Sequence, residues 1–213
     1  MINRFIRLFF YAVIVRFVMG VILGLNVRNK DRLPLKGPAI IVSNHNSHLD
    51  TMALMTLMTK RCVPVAKPVA AADYFLRNGM MKWFALSIVG ILPINRTGKD
   101  KDPLQPVRKA LRNHEVLIFF PEGSRGAPET MSELKGGIAK LSEQFPDVPV
   151  IPVFMYGLGK ALPKGEALLV PFFCDVFVGE ALYWKGDREL FLRKLKRVFS
   201  DLSRQVDSKT WES

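Results

Sequence analysis

The chain has 213 residues, a length that suits one domain with a sizeable hydrophobic core. Hydrophobic residues make up 49% of it, and 31 basic against 19 acidic residues give a formal net charge of +12. This charge favours an anionic partner: a phospholipid surface, a phosphorylated substrate, an acidic carrier protein or nucleic acid. Two distant cysteines, Cys62 and Cys174, exclude a disulfide framework and suit a reducing compartment.

The first 25 residues are strongly apolar but contain arginine. Arg16 divides them into the runs 8–15 and 17–25, each shorter than the roughly 18–20 residues that a membrane span needs. An arginine near the bilayer centre costs about 2.5–3.5 kcal/mol on insertion scales. We therefore expect a helix that lies in one leaflet or dips into it, and the alternative is an amphipathic helix packed in the protein core.

Basic and turn-forming residues separate this segment from the rest of the chain. The basic residues are Arg28, Lys30, Arg32 and Lys36, which either face anionic headgroups or form a solvated connector. Gly37 and Pro38 then interrupt the chain. We expect a membrane-associating helical segment over residues 1–33 and one α/β domain over residues 34–213.

A polar turn joins an apolar strand to a helix early in this domain. Residues 39–42 predict a buried strand and residues 52–58 predict a helix, with Ser-Asn-His-Asn-Ser-His-Leu-Asp between them. Ligands of open α/β sheets bind at this edge, beyond the carboxyl ends of the strands. Because an imidazole accepts a proton near neutral pH and a carboxylate can fix its tautomer, His45 and Asp50 are candidates for a general base and its partner.

Two other interpretations of this turn stay open. Ser47-x-x-Asp50 fits a helix capping box, in which His45 is only a hydrogen-bonded loop residue, and this role is compatible with the catalytic one. His45, His48 and Asp50 are also metal-ligand types. Since the chain has three histidines in all and its cysteines are distant, we expect no metal site.

Two further strands are predicted before residue 100. Residues 62–67 predict a short strand that ends in Lys67, which either reaches the site or is a surface lysine. Residues 89–96 predict a strand that ends in Arg96; a guanidinium binds phosphate through two parallel hydrogen bonds, although such an arginine also suits a surface ion pair. Between them, residues 74–83 are aromatic and basic, which suits a membrane interface or a core helix with a polar side.

The clearest buried strand, residues 116–120, opens directly into a glycine-containing turn, Pro121-Glu122-Gly123-Ser124-Arg125-Gly126. Such a turn commonly directs backbone N–H groups at an anion. The alternative is a tight turn with a surface pair between Glu122 and Arg125.

The remaining segments complete the predicted domain. Residues 134–141 begin a helix, and residues 148–155 predict a strand whose two prolines place it at an edge or a bend. Residues 168–178 predict one or two strands, and residues 188–206 have the apolar spacing of an amphipathic helix that covers the sheet. The predicted class is α/β: a mixed central sheet flanked by helices, with an apolar N-terminal helical segment that associates with a membrane.

Four blocks in a fixed order resemble those of the glycerolipid acyltransferases, the lysophosphatidic acid acyltransferase (PlsC-like) family. They are Asn44-His45-x-x-x-x-Asp50, the glycine-led strand from Gly90 to Arg96, the turn from Phe120 to Gly126, and the V-P-V-I-P-V strand from Val148 to Val153. The blocks span roughly half the chain, and the first and third are the specific ones. Pro93 departs from the pattern, because family members often carry an aromatic residue there.

The resemblance implies transfer of a fatty acyl group from a thioester to the free hydroxyl of a lysophospholipid, with 1-acylglycerol-3-phosphate as acceptor and phosphatidic acid as product. His45 would deprotonate the hydroxyl and Asp50 would orient His45, without an acyl-enzyme. Backbone N–H groups around Gly123 would steady the oxyanion. The substrate-binding residues expected are Asn44, Lys67, Arg96, Glu122, Gly123, Ser124 and Arg125.

The resemblance also sets the expected partners. The donor is acyl-CoA or acyl carrier protein, the protein lies at the cytoplasmic face of a membrane against its phospholipids, and no cofactor, metal or nucleic acid is expected. The competing hypothesis is a non-catalytic basic protein of the same fold that binds lipid surfaces. A nucleic-acid binder is suggested by net charge alone, since no RNP, KH or zinc-finger pattern is present in the sequence.

Overall fold

A seven-stranded sheet forms the centre of the fold in a computed structural model, which describes residues 2–75, 78–95, 102–127, 130–162 and 168–207. The strands within these ranges are β1 (Asn26–Arg28), β2 (Ala39–Ser43), β3 (Ala66–Ala71), β4 (Leu92–Ile94), β5 (Val116–Phe119), β6 (Val150–Tyr156) and β7 (Asp175–Val178). Their order across the sheet is β1-β7-β6-β2-β5-β3-β4.

All neighbouring strands are parallel except β6 and β7, so the sheet is mixed and the predicted class is confirmed. The carboxyl ends of β2 to β6 therefore meet at one edge of the sheet. The helices are α1 (Ile2–Phe9), α2 (Leu49–Leu57), α3 (Ala72–Phe75), α4 (Gly79–Trp83), α5 (Gln105–Arg112), α6 (Gly137–Gln144), α7 (Leu158–Ala161) and α8 (Arg188–Asp207).

Apolar side chains fill a layer on each side of the sheet. Helices α1 and α2 cover one side, where Ile41 packs with Leu54 and Met55. Helices α5, α6 and α8 cover the other, where Leu117 packs with residues such as Leu195. Because both sides are covered, β2 and β5 are buried along their whole length, as is usual for parallel strands between helices.

The N-terminal helix is longer than the two apolar runs predicted. Helix α1 continues through wider π-type turns at Phe10–Val15 and Val18–Ile22, so one helix, Asn3–Ile22, is long and apolar enough to cross a membrane by length and composition. Arg16 does not interrupt it because its side chain is exposed. Strand β1, inside the segment predicted over residues 1–33, then pairs with β7, so that segment also contributes to the sheet.

A buried arginine ties the N-terminal helix to the domain. Arg7 donates to the backbone carbonyls of Ala66 (2.7 Å) and Pro64 (3.4 Å). Gly90 makes room for it: a Cβ at this position, where φ is +73°, would lie 2.4 Å from the guanidinium carbon of Arg7. The glycine that leads the second block therefore serves the packing of this helix.

Two predicted strands differ from the structure. The strand predicted over residues 62–67 begins instead at Ala66, because Val63 and Ala66 donate to Thr59 and Cys62 in helical turns. For residues 148–155 we predicted an edge or a bend, and the edge alternative is wrong, since β6 lies between β2 and β7. The missing N–H of Pro152 is tolerated there because it precedes Val153, where the antiparallel ladder with β7 ends.

Candidate active site

Asp50 fixes the polar turn that follows β2. It lies in the first turn of α2, is buried, and accepts hydrogen bonds at Oδ2 from the backbone N–H groups of Asn46 (2.7 Å) and Ser47 (2.8 Å). The bond from the Ser47 N–H is the one that Asp50 makes in the predicted capping box, but helix α2 begins at Leu49 and the preceding His48 makes no side-chain cap bond.

The same carboxylate oxygen holds the imidazole of His45. Nδ1 of His45 lies 2.8 Å from Oδ2 of Asp50. Because an ionised carboxylate only accepts, Nδ1 carries the proton and Nε2 keeps a free lone pair. The ring stacks on Phe120 at 4.0 Å between centroids, and 19% of the side chain is exposed. The pair thus presents an oriented imidazole that can accept a proton at Nε2.

Glu122 holds the backbone of His45. Its Oε1 accepts the N–H of His45 at 2.7 Å, and its Oε2 accepts the N–H of Ser132 at 2.6 Å. On the other side of the histidine, the N–H of Gly126 donates to the carbonyl of His45 at 2.9 Å. The turn after β5 and the side chain of Glu122 therefore bind both the N–H and the carbonyl of His45.

Asn44 connects the polar turn after β2, residues 44–48, to β6; we call this turn the candidate catalytic turn. Its side-chain amide donates to the carbonyl of Met155 and accepts from the N–H of Met155, both at 2.8 Å. It also donates to Oδ1 of Asn46 at 2.8 Å, and the residue is buried. Both N–H groups of the Asn44 amide are thus used within the protein, which extends the pairing of β2 with β6 by one residue.

Three side chains from separate segments form what we call the rim cluster: His48, Tyr74 and Arg125. The hydroxyl of Tyr74 lies 3.2 Å from Nε2 of His48, and the two rings stack at 5.8 Å. The guanidinium carbon of Arg125 lies 5.8 Å from the centre of the Tyr74 ring. Burial lowers the pKa of His48, the neighbouring Arg125 and His45 lower it further, and Asp50 acts in the opposite direction.

Comparison with known proteins decides the family. The model of the protein family described as Acyltransferase matches residues 24–156, which is more than half of the chain.

The chain belongs to the acyltransferase family.

Curated relatives carry names that include an acceptor. The chain is 31% identical to the human 1-acyl-sn-glycerol-3-phosphate acyltransferase alpha over 77% of its own length and 56% of the human protein. It is 28% identical to the chloroplastic 1-acyl-sn-glycerol-3-phosphate acyltransferase LPAT1 of Arabidopsis thaliana, over 67% of this chain and 38% of that one. The chain spans about half the length of the curated relatives that it matches.

A solved structure has the same fold. The crystal structure of the 1-acyl-sn-glycerophosphate (LPA) acyltransferase PlsC from Thermotoga maritima matches with a TM-score of 0.73, covering 89% of this chain and 74% of that one. The sequences are 18% identical, so this likeness concerns the fold.

The fold brings together most, though not all, of the residues predicted for the site. His45, Asp50, Asn44, Glu122 and the turn through Gly123, Ser124 and Arg125 all lie at the carboxyl edge of the sheet. Lys67 does not join them: it lies near the amino end of β3 and its ammonium is 3.6 Å from the carboxylate of Glu115. Arg96 lies outside the described residues.

Two contacts of the site were not predicted from sequence. Tyr74 was assigned to a membrane interface or a core helix, yet α3 follows β3 directly and brings it to the site edge. The ammonium of Lys135 lies close to Gly123, 2.8 Å from where a Cβ would be placed. Within the ranges that the structure describes, no three His, Cys, Asp or Glu side chains are grouped to hold a metal ion.

Proposed function

We propose that this acyltransferase moves a fatty acyl group from acyl-CoA or acyl carrier protein to the free hydroxyl of a lysophospholipid, with 1-acylglycerol-3-phosphate as acceptor and phosphatidic acid as product. The observation that carries the proposal is the hydrogen bond between His45 Nδ1 and Asp50 Oδ2 (2.8 Å), which leaves Nε2 as a base. The names of the relatives support this acceptor.

The reaction needs one proton acceptor and no covalent enzyme intermediate. Nε2 of His45 takes the acceptor hydroxyl's proton as its oxygen attacks the thioester carbonyl, and Asp50 stabilises the imidazolium. The tetrahedral intermediate expels the thiolate, which takes the proton back from Nε2. The proton therefore passes from alcohol to thiol, the ester bond replaces the thioester bond, and His45 returns to its starting state.

The turn after β5 supplies the donors proposed for the oxyanion. The N–H of Gly123 donates to the carbonyl of Phe120 at 3.1 Å and is already used. We therefore assign the oxyanion to the neighbouring backbone donors of Ser124 and Arg125.

Arg125 lies in the turn after β5 and is close enough to His48 to lower its pKa, and we assign the acceptor's phosphate to it, with Arg96 as a second candidate. Asn44 and Glu122 have a different proposed role. Both carboxylate oxygens of Glu122 and both amide N–H groups of Asn44 are bonded within the protein, so these side chains position His45.

We also propose that the protein lies on the cytoplasmic face of a membrane. The outer side of the N-terminal helix is apolar, with Phe5, Phe9 and Phe17 exposed, and Trp83 of α4 is exposed as well. The net charge of +12 suits the anionic cytoplasmic leaflet. In this arrangement the apolar helix within residues 1–33 associates with the bilayer, β1 joins the sheet, and residues 34–213 form the rest of the catalytic domain.

The test uses purified protein in mixed micelles with palmitoyl-CoA and lysophosphatidic acid, with His45→Ala in parallel. Free thiol and phosphatidic acid are followed by mass spectrometry, and acyl carrier protein replaces CoA in a second series. We expect His45→Ala to fold normally and to lose about 10²- to 10⁴-fold in rate, the usual contribution of a general base.

Retention of more than about a tenth of the wild-type rate would remove His45 as the base. Thiol release without lipid product would indicate hydrolysis and a wrong acceptor. Vesicle binding with no transfer from either donor would favour the lipid-surface binding protein.

A further inference from the structure

The rim cluster holds an arginine without using its hydrogen-bond donors. The guanidinium carbon of Arg125 lies over the Tyr74 ring, 5.8 Å from its centre, and no ion pair of Arg125 is seen within the part of the chain that the structure describes. Its Nη1 is buried and has no hydrogen-bond partner among those residues. A buried donor without a partner is costly, so its presence points to a ligand that completes the site.

The type of contact matters for what Arg125 can bind. An aspartate or glutamate beside it would occupy the same N–H groups that an anionic ligand needs. An aromatic face attracts the cation through the ring quadrupole and leaves those N–H groups available. Tyr74 therefore restrains the guanidinium without competing with an anion.

His48 in turn fixes Tyr74. The Tyr74 hydroxyl lies 3.2 Å from Nε2 of His48, and the rings are stacked with an interplanar angle of 29°. With its pKa lowered by burial, Arg125 and His45, His48 is neutral at neutral pH, and its Nε2 shares a hydrogen bond with the Tyr74 hydroxyl. His48 thereby holds the hydroxyl end of Tyr74, and the guanidinium of Arg125 lies over the Tyr74 ring.

We propose that Tyr74 is a positioning residue for acceptor recognition: it holds the Arg125 guanidinium beside the candidate catalytic turn so that its free donors meet the phosphate of the acceptor, and His48 orients Tyr74. The proposal rests on the proposed function of the same site and extends it to two residues, Tyr74 and His48, that separate segments bring to it.

The decisive variants separate the ring from the hydroxyl. Tyr74→Leu removes both contacts, whereas Tyr74→Phe keeps the aromatic face and loses only the bond to His48. We expect Tyr74→Leu to raise the KM for lysophosphatidic acid about two- to thirtyfold, the range of a cation–π contact. We expect the KM for palmitoyl-CoA and kcat to stay within about twofold, and Tyr74→Phe to show a smaller rise in the acceptor KM.

An acceptor without phosphate provides the specificity control. With monoacylglycerol, we expect Tyr74→Leu and the wild type to have equal kcat/KM, because no phosphate meets Arg125. Tyr183→Leu, at a tyrosine that is 50% exposed and lies outside the rim cluster, is the matched control and is expected to leave both acceptors unaffected. An equal loss on both acceptors, or a fall in kcat alone, would make Tyr74 merely structural and overturn the proposal.

A double-mutant cycle tests the part played by His48. Tyr74→Phe and His48→Leu remove the two sides of one hydrogen bond, so the double variant should raise the acceptor KM no more than the larger single effect. Fully multiplicative effects would show that His48 acts independently of Tyr74.

A binding measurement distinguishes failure of this proposal from failure of the proposed function. Short-chain lysophosphatidic acid is titrated into His45→Ala protein with and without Tyr74→Leu, and the heat of binding gives Kd without turnover. If Tyr74→Leu weakens Kd by the two- to thirtyfold expected for KM, the proposal is supported even if transfer to this acceptor is never observed. An unchanged Kd overturns it even if the enzyme makes phosphatidic acid.

Discussion

The N-terminal helix and α8 are of similar length and bury similar stripes of side chains, yet their outer sides are opposite in character. Tyr11, Val15 and Met19 pack into one core layer, and Phe191, Leu195 and Phe199 pack into the other. Outward, the N-terminal helix exposes Phe5 (70%), Phe9 (60%) and Phe17 (57%). The outward residues of α8 are instead charged, among them Arg193, Lys194, Arg197, Asp201 and Arg204.

This difference shows which observation points to a membrane. A buried apolar stripe fits any helix that covers a sheet, and both helices have one. An apolar side that no part of the described protein covers is unfavourable in water, and for the N-terminal helix it is compatible with membrane association. The outer surface, more than helix length or mean hydropathy, therefore distinguishes the two.

The largest expected effect comes from the outer side of the N-terminal helix. A triple change of Phe5, Phe9 and Phe17 to Ser should weaken binding to anionic vesicles by at least about a hundredfold, since full burial of one such side chain contributes roughly 1.5–3 kcal/mol. Vesicle flotation measures this, and activity on short-chain monomeric substrate should not change.

The matched control changes Arg193, Lys194 and Arg197 of α8 to Ser. At about 0.5 M salt, where the Debye length is only several ångströms, we expect this variant to bind vesicles as the wild type does. If the phenylalanine variant still floats with the vesicles, the two outer surfaces do not differ in function.

Truncating a buried side chain should destabilise the protein equally in the two helices. Met19→Ala and Leu195→Ala each remove a fully buried side chain, and each should lower the free energy of unfolding by about 2–5 kcal/mol. Urea unfolding without lipid provides the measurement. A much smaller loss for Met19→Ala would mean that the N-terminal helix is not packed on the domain in solution, and the similarity between the helices would fail.

A smaller loss of unfolding free energy is expected on changing Arg7, which is buried, whereas the outward arginines of α8 are exposed. Arg7→Met keeps the length of the side chain but leaves the buried carbonyl of Ala66 without its donor, so we expect a loss of about 1–3 kcal/mol in unfolding free energy. Arg193→Met, at an exposed position, should change stability by less than about 0.5 kcal/mol. A neutral or stabilising Arg7→Met would show that desolvation of the guanidinium cancels its hydrogen bonds.

The smallest expected effect is at Tyr11. Its hydroxyl donates to the carbonyl of Val89 at 3.3 Å, so Tyr11→Phe should cost about 0.5–1.5 kcal/mol in the same unfolding experiment. A cost as large as that of Met19→Ala would mean that this bond, and not the apolar stripe, holds the helix in place.

The sequence predicts most reliably what neighbouring residues decide. The regular spacing of Leu195 and its neighbours predicts α8, and the strand–turn–helix around His45 follows from an apolar run and a cap within twelve residues. By contrast, the N-terminal helix is apolar on nearly every side, so its buried stripe has no periodic signal.

Contacts between distant parts of the chain are what the sequence leaves open. Glu122 reaches the backbone of His45 across 77 positions, and Asn44 reaches Met155 across 111. Motif resemblance therefore assigns Glu122 and Asn44 to the site, but it does not reveal that their side chains bind backbone groups of the protein. Lys67 stands close to the first motif in sequence, yet the register of β3 with β5 keeps it near the amino end of the strand.

The two buried carboxylates beside His45 have an electrostatic consequence. Asp50 and Glu122 together accept four backbone N–H groups and one imidazole N–H, so peptide dipoles offset much of their negative potential. The phosphate-bearing acceptor proposed above would then approach the proposed base, His45, against less repulsion than two bare carboxylates would exert. The hydrogen bonds that hold the turn would therefore also shield the proposed substrate from the negative charges of Asp50 and Glu122.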